Sequence, residues 1–127
     1  MATTPSYAAT PNCAIANIAT ANTARDGTGT IGAIFTAGAA GAMVSRLNIV
    51  ARASTSAGMI RFFIHNGATA FLWKEVAVSA VTPSGTAAAF TSVTDIDPPL
   101  YLPSGYSVRA ATNNAESFNV IVEGGNL

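Results

Sequence analysis

Apolar and polar positions alternate with a period of two along much of this chain, most firmly toward its end. Tyr106, Val108 and Ala110 alternate with Ser107, Arg109 and Ala111; Phe118, Val120 and Val122 alternate with Asn119, Ile121 and Glu123. A period of two predicts strands with one buried face. Pro103-Ser104-Gly105 bends the chain into the first of these strands, and Asn113-Asn114 supplies a polar turn, so the pair predicts a closing hairpin. Upstream, Leu47, Ile49, Ala51 and Ala53 oppose Arg46, Asn48, Val50 and Arg52, while Ile60, Phe62 and Ile64 oppose Arg61, Phe63 and His65. His65-Asn66-Gly67 then predicts a tight hairpin, because Asn-Gly accepts the positive φ such turns require.

Weaker segments complete the pattern. Ile15 and Ile18 are the sizeable apolar anchors of residues 13–18, and Ile31, Ala33 and Phe35 share one face of residues 30–36. Residues 71–81 offer Leu72, Val76 and Val78 as core, and residues 87–96 offer Phe90 and Val93, followed by Asp97-Pro98-Pro99. Residues 68–80 also contain good helix formers, but their valines and the preceding Asn-Gly favour a strand. About eight short strands at intervals of roughly 8 to 15 residues predict an all-β fold, an antiparallel β-sandwich of jelly-roll-like type. Residues 1–12, rich in Ala, Thr, Pro and Ser, read as an N-terminal arm, and residues 13–127 as a single domain.

Charge changes this picture more than any other total. Only 9% of the 127 residues are charged and 8% are aromatic, although 50% are apolar. An average soluble domain carries about 25% charged residues. A chain so poor in charge is expected to associate with itself or to dock on a larger surface. Six basic and six acidic residues balance to zero, which leaves no electrostatic footprint for nucleic acid. No apolar run is long enough to span a membrane as a helix, and no secretory signal is legible at the N-terminus. Cys13 is the sole cysteine, so no intramolecular disulfide forms, and synthesis in a reducing cytoplasm is expected.

Residues able to do chemistry are few. Gly27-Thr28-Gly29-Thr30-Ile31-Gly32 matches the glycine spacing of a dinucleotide loop, but strand-like Ala33-Ile34-Phe35 follows where a helix is needed. His65 is the only histidine and belongs to a hairpin end. Asp95 and Asp97 could share one side of a strand, without the surrounding loop of a calcium site. No catalytic, cofactor-binding or metal-binding residue is assigned, and an enzyme is not expected. Trp73, Tyr101, Tyr106 and Phe63 could form an aromatic platform for sugars. Trp73 is better placed at a subunit contact, where tryptophan is enriched. Arg46, Arg52 and Arg61 are expected there too, in ion pairs between subunits or proteins with Glu75 or Glu123.

Several segments carry a resemblance: Thr23-Ala24-Arg25-Asp26-Gly27-Thr28-Gly29, Ala57-Gly58-Met59-Ile60-Arg61-Phe62-Phe63-Ile64-His65-Asn66-Gly67, Val81-Thr82-Pro83-Ser84, and Leu102-Pro103-Ser104-Gly105-Tyr106-Ser107-Val108-Arg109 with Phe118-Asn119-Val120. Over residues 20–125 the chain resembles small virion proteins of tailed bacteriophages. The resemblance implies a non-enzymatic head decoration (cement) protein, a homotrimer that binds the major capsid protein on the outer shell. The alternative it implies is a tail fibre or baseplate module that binds a host receptor or glycan. On the first reading, Ala2, Thr3, Thr4, Pro5, Ser6 and Tyr7 of the arm make capsid contact, together with the loop of residues 37–42. The expected location is the virion, after synthesis in the bacterial host cytoplasm.

Overall fold

The computed structural model describes residues 10–127. They form eight strands: β1 (Thr10–Ile18), β2 (Gly32–Thr36), β3 (Ala42–Ala51), β4 (Gly58–His65), β5 (Ala70–Val78), β6 (Thr91–Leu102), β7 (Ser107–Thr112) and β8 (Phe118–Asn126). Two antiparallel four-stranded sheets, ordered β1-β8-β3-β6 and β2-β7-β4-β5, pack as a sandwich. The strands pair first with last: β1 with β8, β2 with β7, β3 with β6 and β4 with β5. The chain is therefore one long ribbon doubled back at residues 66–69 and wrapped into two layers, which is the jelly-roll arrangement.

The core follows the alternation. Val44, Leu47 and Ile49 of β3, Ile60 and Phe62 of β4, Val108 and Ala110 of β7, and Phe118, Val120 and Val122 of β8 are all buried between the sheets. Asn66 closes the β4–β5 turn, its Oδ1 accepting the N–H groups of Ala68 (3.0 Å) and Thr69 (2.8 Å). The region of residues 68–80 is strand β5, as its valines indicate.

Several local expectations give way to the topology. The predicted closing hairpin does not form: β7 pairs with β2 and β4, β8 with β1 and β3, and the two lie in opposite sheets. Asp97-Pro98-Pro99 lies inside β6 rather than before a hairpin. β6 is an edge strand, where a missing N–H leaves no ladder bond broken on the solvent side. Ile15 and Val93 point away from the core and are 65% and 63% exposed. In β1 the inward positions fall to Ala14, Ala16 and Ile18, so Ile15 between them faces out. Leu72 is likewise exposed, because the ladder shifts between Phe62 and Phe63 and makes Trp73 the extra residue of β5. That bulge turns Trp73 against the core instead. Thr10, Pro11 and Asn12, read as part of the arm, pair with β8, so the sheet begins at Thr10. The proposed capsid-contact residues 2–7 lie outside the described residues.

Candidate functional site

The two outer faces of the sandwich differ. The outer face of β2-β7-β4-β5 is covered over β4 by the chain itself, while Leu72 of the edge strand β5 stays exposed. The loop between β1 and β2 is tied down by Asn22, whose N–H donates to the Thr112 carbonyl (2.8 Å) and whose Nδ2 donates to the carbonyls of Thr28 and Thr30. At Gly27 the loop presses so closely on β5 that a Cβ there would stand 2.6 Å from the Ala70 carbonyl oxygen. This cover explains why Arg61 and Phe63, on the face away from the main core, are only 4% and 0% exposed. Phe63 is thus no part of an aromatic platform.

Arg61 is satisfied within the chain. Its Nε donates to Glu75 Oε1 (2.9 Å), and one terminal nitrogen reaches Asn113 Oδ1 (3.2 Å) and the Asn22 carbonyl (3.4 Å). Arg25, from the loop, also pairs with Glu75 Oε1. The hydrogen bond from Arg25, reinforced by that from Arg61, holds the Glu75 carboxyl below its usual 4.5. A carboxyl depressed in the fold stabilises it above the unfolded pKa, and that contribution is lost as pH falls through the folded value. Wild type should therefore exceed Glu75→Gln in thermal midpoint at neutral pH, with the gap closing only at pH below 4.5. The effect will be small because Glu75 meets solvent. Midpoints measured from pH 7 to strongly acidic conditions check this, and a gap unchanged by acid would refute it.

The outer face of β1-β8-β3-β6 has no such cover among the described residues. Cross-strand register orders it into rows. One row runs Cys13, Glu123, Arg46, Asp95; the next Ile15, Ile121, Asn48, Val93; the next Asn17, Asn119, Val50, Thr91; and Met43 stands beside Tyr101 at the far end. The charged row is closed on itself. Arg46 Nε donates to Asp95 Oδ1 (2.8 Å), Arg46 lies 3.8 Å from Glu123 Oε2, and Asn48 Nδ2 donates to that same oxygen (2.8 Å). The Asp95 hydrogen bond and both carboxylates raise the pKa of Arg46, so its charge is permanent. Ile15, Val93, Val50 and Tyr101 remain as exposed apolar surface on this face.

The residues expected at subunit contacts therefore separate. Arg46 stands on this open face with its ion pairs made at home, Arg61 is sealed under the loop, and Arg52 is exposed at the end of β3. Glu75 and Glu123 are the partners the sequence suggests, but within one chain. Trp73 is half-buried in a groove of about 300 Å³ between the edge strands β5 and β6, also lined by Asp95, Asp97 and Pro98. The Lys74 ammonium lies 5.5 Å from the centre of its ring. His65 ends β4, its Nδ1 accepting the Gly67 N–H (3.1 Å). Among the described residues, no three His, Cys, Asp or Glu side chains gather as a metal site would require.

Sequence reasoning did not find the open face, because alternation shows that a strand has two faces without showing which rows line up across strands. No family model matches the chain, and neither a curated protein nor a solved structure matches it.

Proposed function

We propose that this protein is a non-enzymatic structural component of a tailed-phage virion, a head decoration protein that docks on the major capsid protein through the outer face of β1-β8-β3-β6. The observation that carries the docking surface is the pair of apolar positions Ile15 and Val93, exposed on an uncovered sheet beside a row whose single cation, Arg46, is held by two carboxylates. Support for the virion setting comes from the sequence resemblance and from the low charge of the chain. With its one cation engaged and one carboxylate charge in excess, this face suits a flat, largely uncharged partner better than an acidic one.

Its size sets the mode of binding. Four strands and four side-chain rows span about 20 Å by about 20 Å, roughly 400 Å². A stable standard interface needs about 800 Å² from each partner. One copy therefore binds weakly, and a homotrimer on a repeating shell gains its hold by multivalency. The alternative, a fibre or baseplate module stacking sugars on Trp73, has less behind it, because Trp73 packs inward and carries Lys74 over its ring.

The double variant Ile15→Lys, Val93→Lys is expected to keep its thermal midpoint, since both residues are exposed, and to lose co-sedimentation with undecorated heads by about tenfold or more. Wild-type co-sedimentation by a folded double variant would overturn the docking surface. Immunogold label absent from the heads of source particles would overturn the virion setting separately.

A further inference from the structure

The sandwich carries a second cavity of about 300 Å³, on the side away from the docking sheet, between the β1–β2 loop at residues 26–29 and the β4–β5 turn. Arg109 and His65 line it from the sheet. Arg109 lies between Val108 and Ala110, both fully buried in the core, so its side chain must leave by the outer face. Its Nε donates to the Ser107 hydroxyl (3.2 Å), and Ser107 is itself buried. That bond orients the guanidinium while leaving its two terminal nitrogens, which have no hydrogen-bond partner among the described residues. Arg25, Arg46 and Arg61 each pair with a carboxylate; Arg109 is half-buried and has none. A guanidinium end is a planar fork that matches a carboxylate with two parallel hydrogen bonds.

The remaining lining is polar and set in place. His65 accepts the Gly67 N–H at Nδ1, so Nε2 carries the proton of the neutral ring and serves as a donor. Asp26 Oδ1 is occupied by the Thr28 N–H (3.0 Å) and hydroxyl (2.6 Å), which leaves Oδ2 as an acceptor. Those bonds, the hydroxyl first, lower the Asp26 pKa and keep the group ionised. Thr69 adds a further hydroxyl. The loop wall stands close against β5, where Gly27 faces the Ala70 carbonyl.

We infer that this cavity binds an acidic monosaccharide unit, its carboxylate on the Arg109 fork and its hydroxyls on His65, Asp26 and the threonines. The ionised Asp26 balances Arg109 across the cavity, so a ligand carboxylate is placed by the Arg109 fork rather than by net charge, and the surrounding mix of donors and acceptors suits a polyol rather than an apolar acid. A copy docked through the opposite sheet holds this cavity toward the medium, so the ligand adds to the docking reading. The inference does not depend on that reading, because it is tested on the isolated protein.

The test is an amide and arginine side-chain NMR titration with glucuronate, glucose and acetate. Glucuronate should move the signals of Gly27, Gly29, Thr69 and the Arg109 side chain, and bind about tenfold or more tightly than glucose or acetate. Arg109→Gln should weaken glucuronate binding about tenfold or more, Arg109→Lys should weaken it less, and Arg52→Gln should leave it unchanged. The wild-type titration stands even if an Arg109 variant misfolds. Equal binding of glucose would overturn the carboxylate contact, equal binding of acetate would reduce the cavity to a simple anion site, and silence at these residues would overturn the inference outright.

Discussion

Gly124→Ala is expected to destabilise the protein by about 3 kcal/mol or more, a fall in thermal midpoint of roughly 10 °C. Gly124 stands opposite Val44, where the β3–β8 ladder shifts between Val44 and Arg46. A Cβ at Gly124 would lie 1.9 Å from the Met43 carbonyl oxygen and 3.0 Å from the Val44 Cα. Both are backbone atoms, so no side chain can swing aside, and either the strands part or the bulge is lost. Losing the bulge is costly. With Ser45 as the extra residue, Val44 and Leu47 both face the core; without it, one half of β3 would turn its apolar residues to solvent. Gly85→Ala, at a position with nothing within 4 Å, should change stability by less than about 0.5 kcal/mol. Circular dichroism melts of the two variants decide the matter, and equal midpoints would refute the close approach of β3 and β8.

Phe63→Ala should cost about 3 to 5 kcal/mol, as much as removing a phenylalanine from the main core. Phe63 is 0% exposed yet lies outside the principal cluster, beneath the β1–β2 loop. Its loss has a local signature that distinguishes it from Phe62→Ala, which empties the space between the sheets. Without Phe63 the loop loses the apolar surface it covers, and the Asn22 N–H bonded to Thr112 should exchange with solvent much faster relative to the core amides. In Phe62→Ala, loop and core amides should speed up together as global stability falls. Hydrogen exchange at Asn22 in both variants reads this directly. A loop amide equally protected in both would mean that the loop is held by its hydrogen bonds alone.

Adjacent Phe62 and Phe63 also show how far the sequence can be read. Alternation places Ile60, Phe62 and Ile64 on one face and Arg61, Phe63 and His65 on the other, and this is how β4 lies. The period does not say that both faces are covered. Arg61 and Phe63 are buried because a polar loop forty residues earlier in the chain crosses them, and nothing local to β4 encodes that crossing. The same limit applies to Arg61 with Glu75 and Arg46 with Glu123. Each pair is legible as a charge match, while its placement within one chain depends on which strands become neighbours.

The candidate surfaces divide in the same way. Tyr101 and Trp73 stand out in the sequence as large aromatics, but Ile15, Val93 and Val50 acquire meaning only when register lines them up on one uncovered sheet. Arg109 reads as the polar partner of Val108 and Ala110. Its half-buried, unmatched guanidinium becomes visible only once the β1–β2 loop and the β4–β5 turn are brought around it.

By itself the sequence determined the all-β class, the approximate strands, the inward faces of β3, β4, β7 and β8, and the turn at Asn66-Gly67. These depend on interactions over two to four residues, where steric preference and hydrophobic period act directly. Tertiary structure alone decided the first-with-last pairing, the separation of β7 from β8 into opposite sheets, the bulges that re-aim Val44 and Trp73, and the choice of which outer face stays bare. Those outcomes depend on contacts between residues far apart in the chain. Local alternation is equally compatible with many ways of making them, and the packing of the whole ribbon selects one.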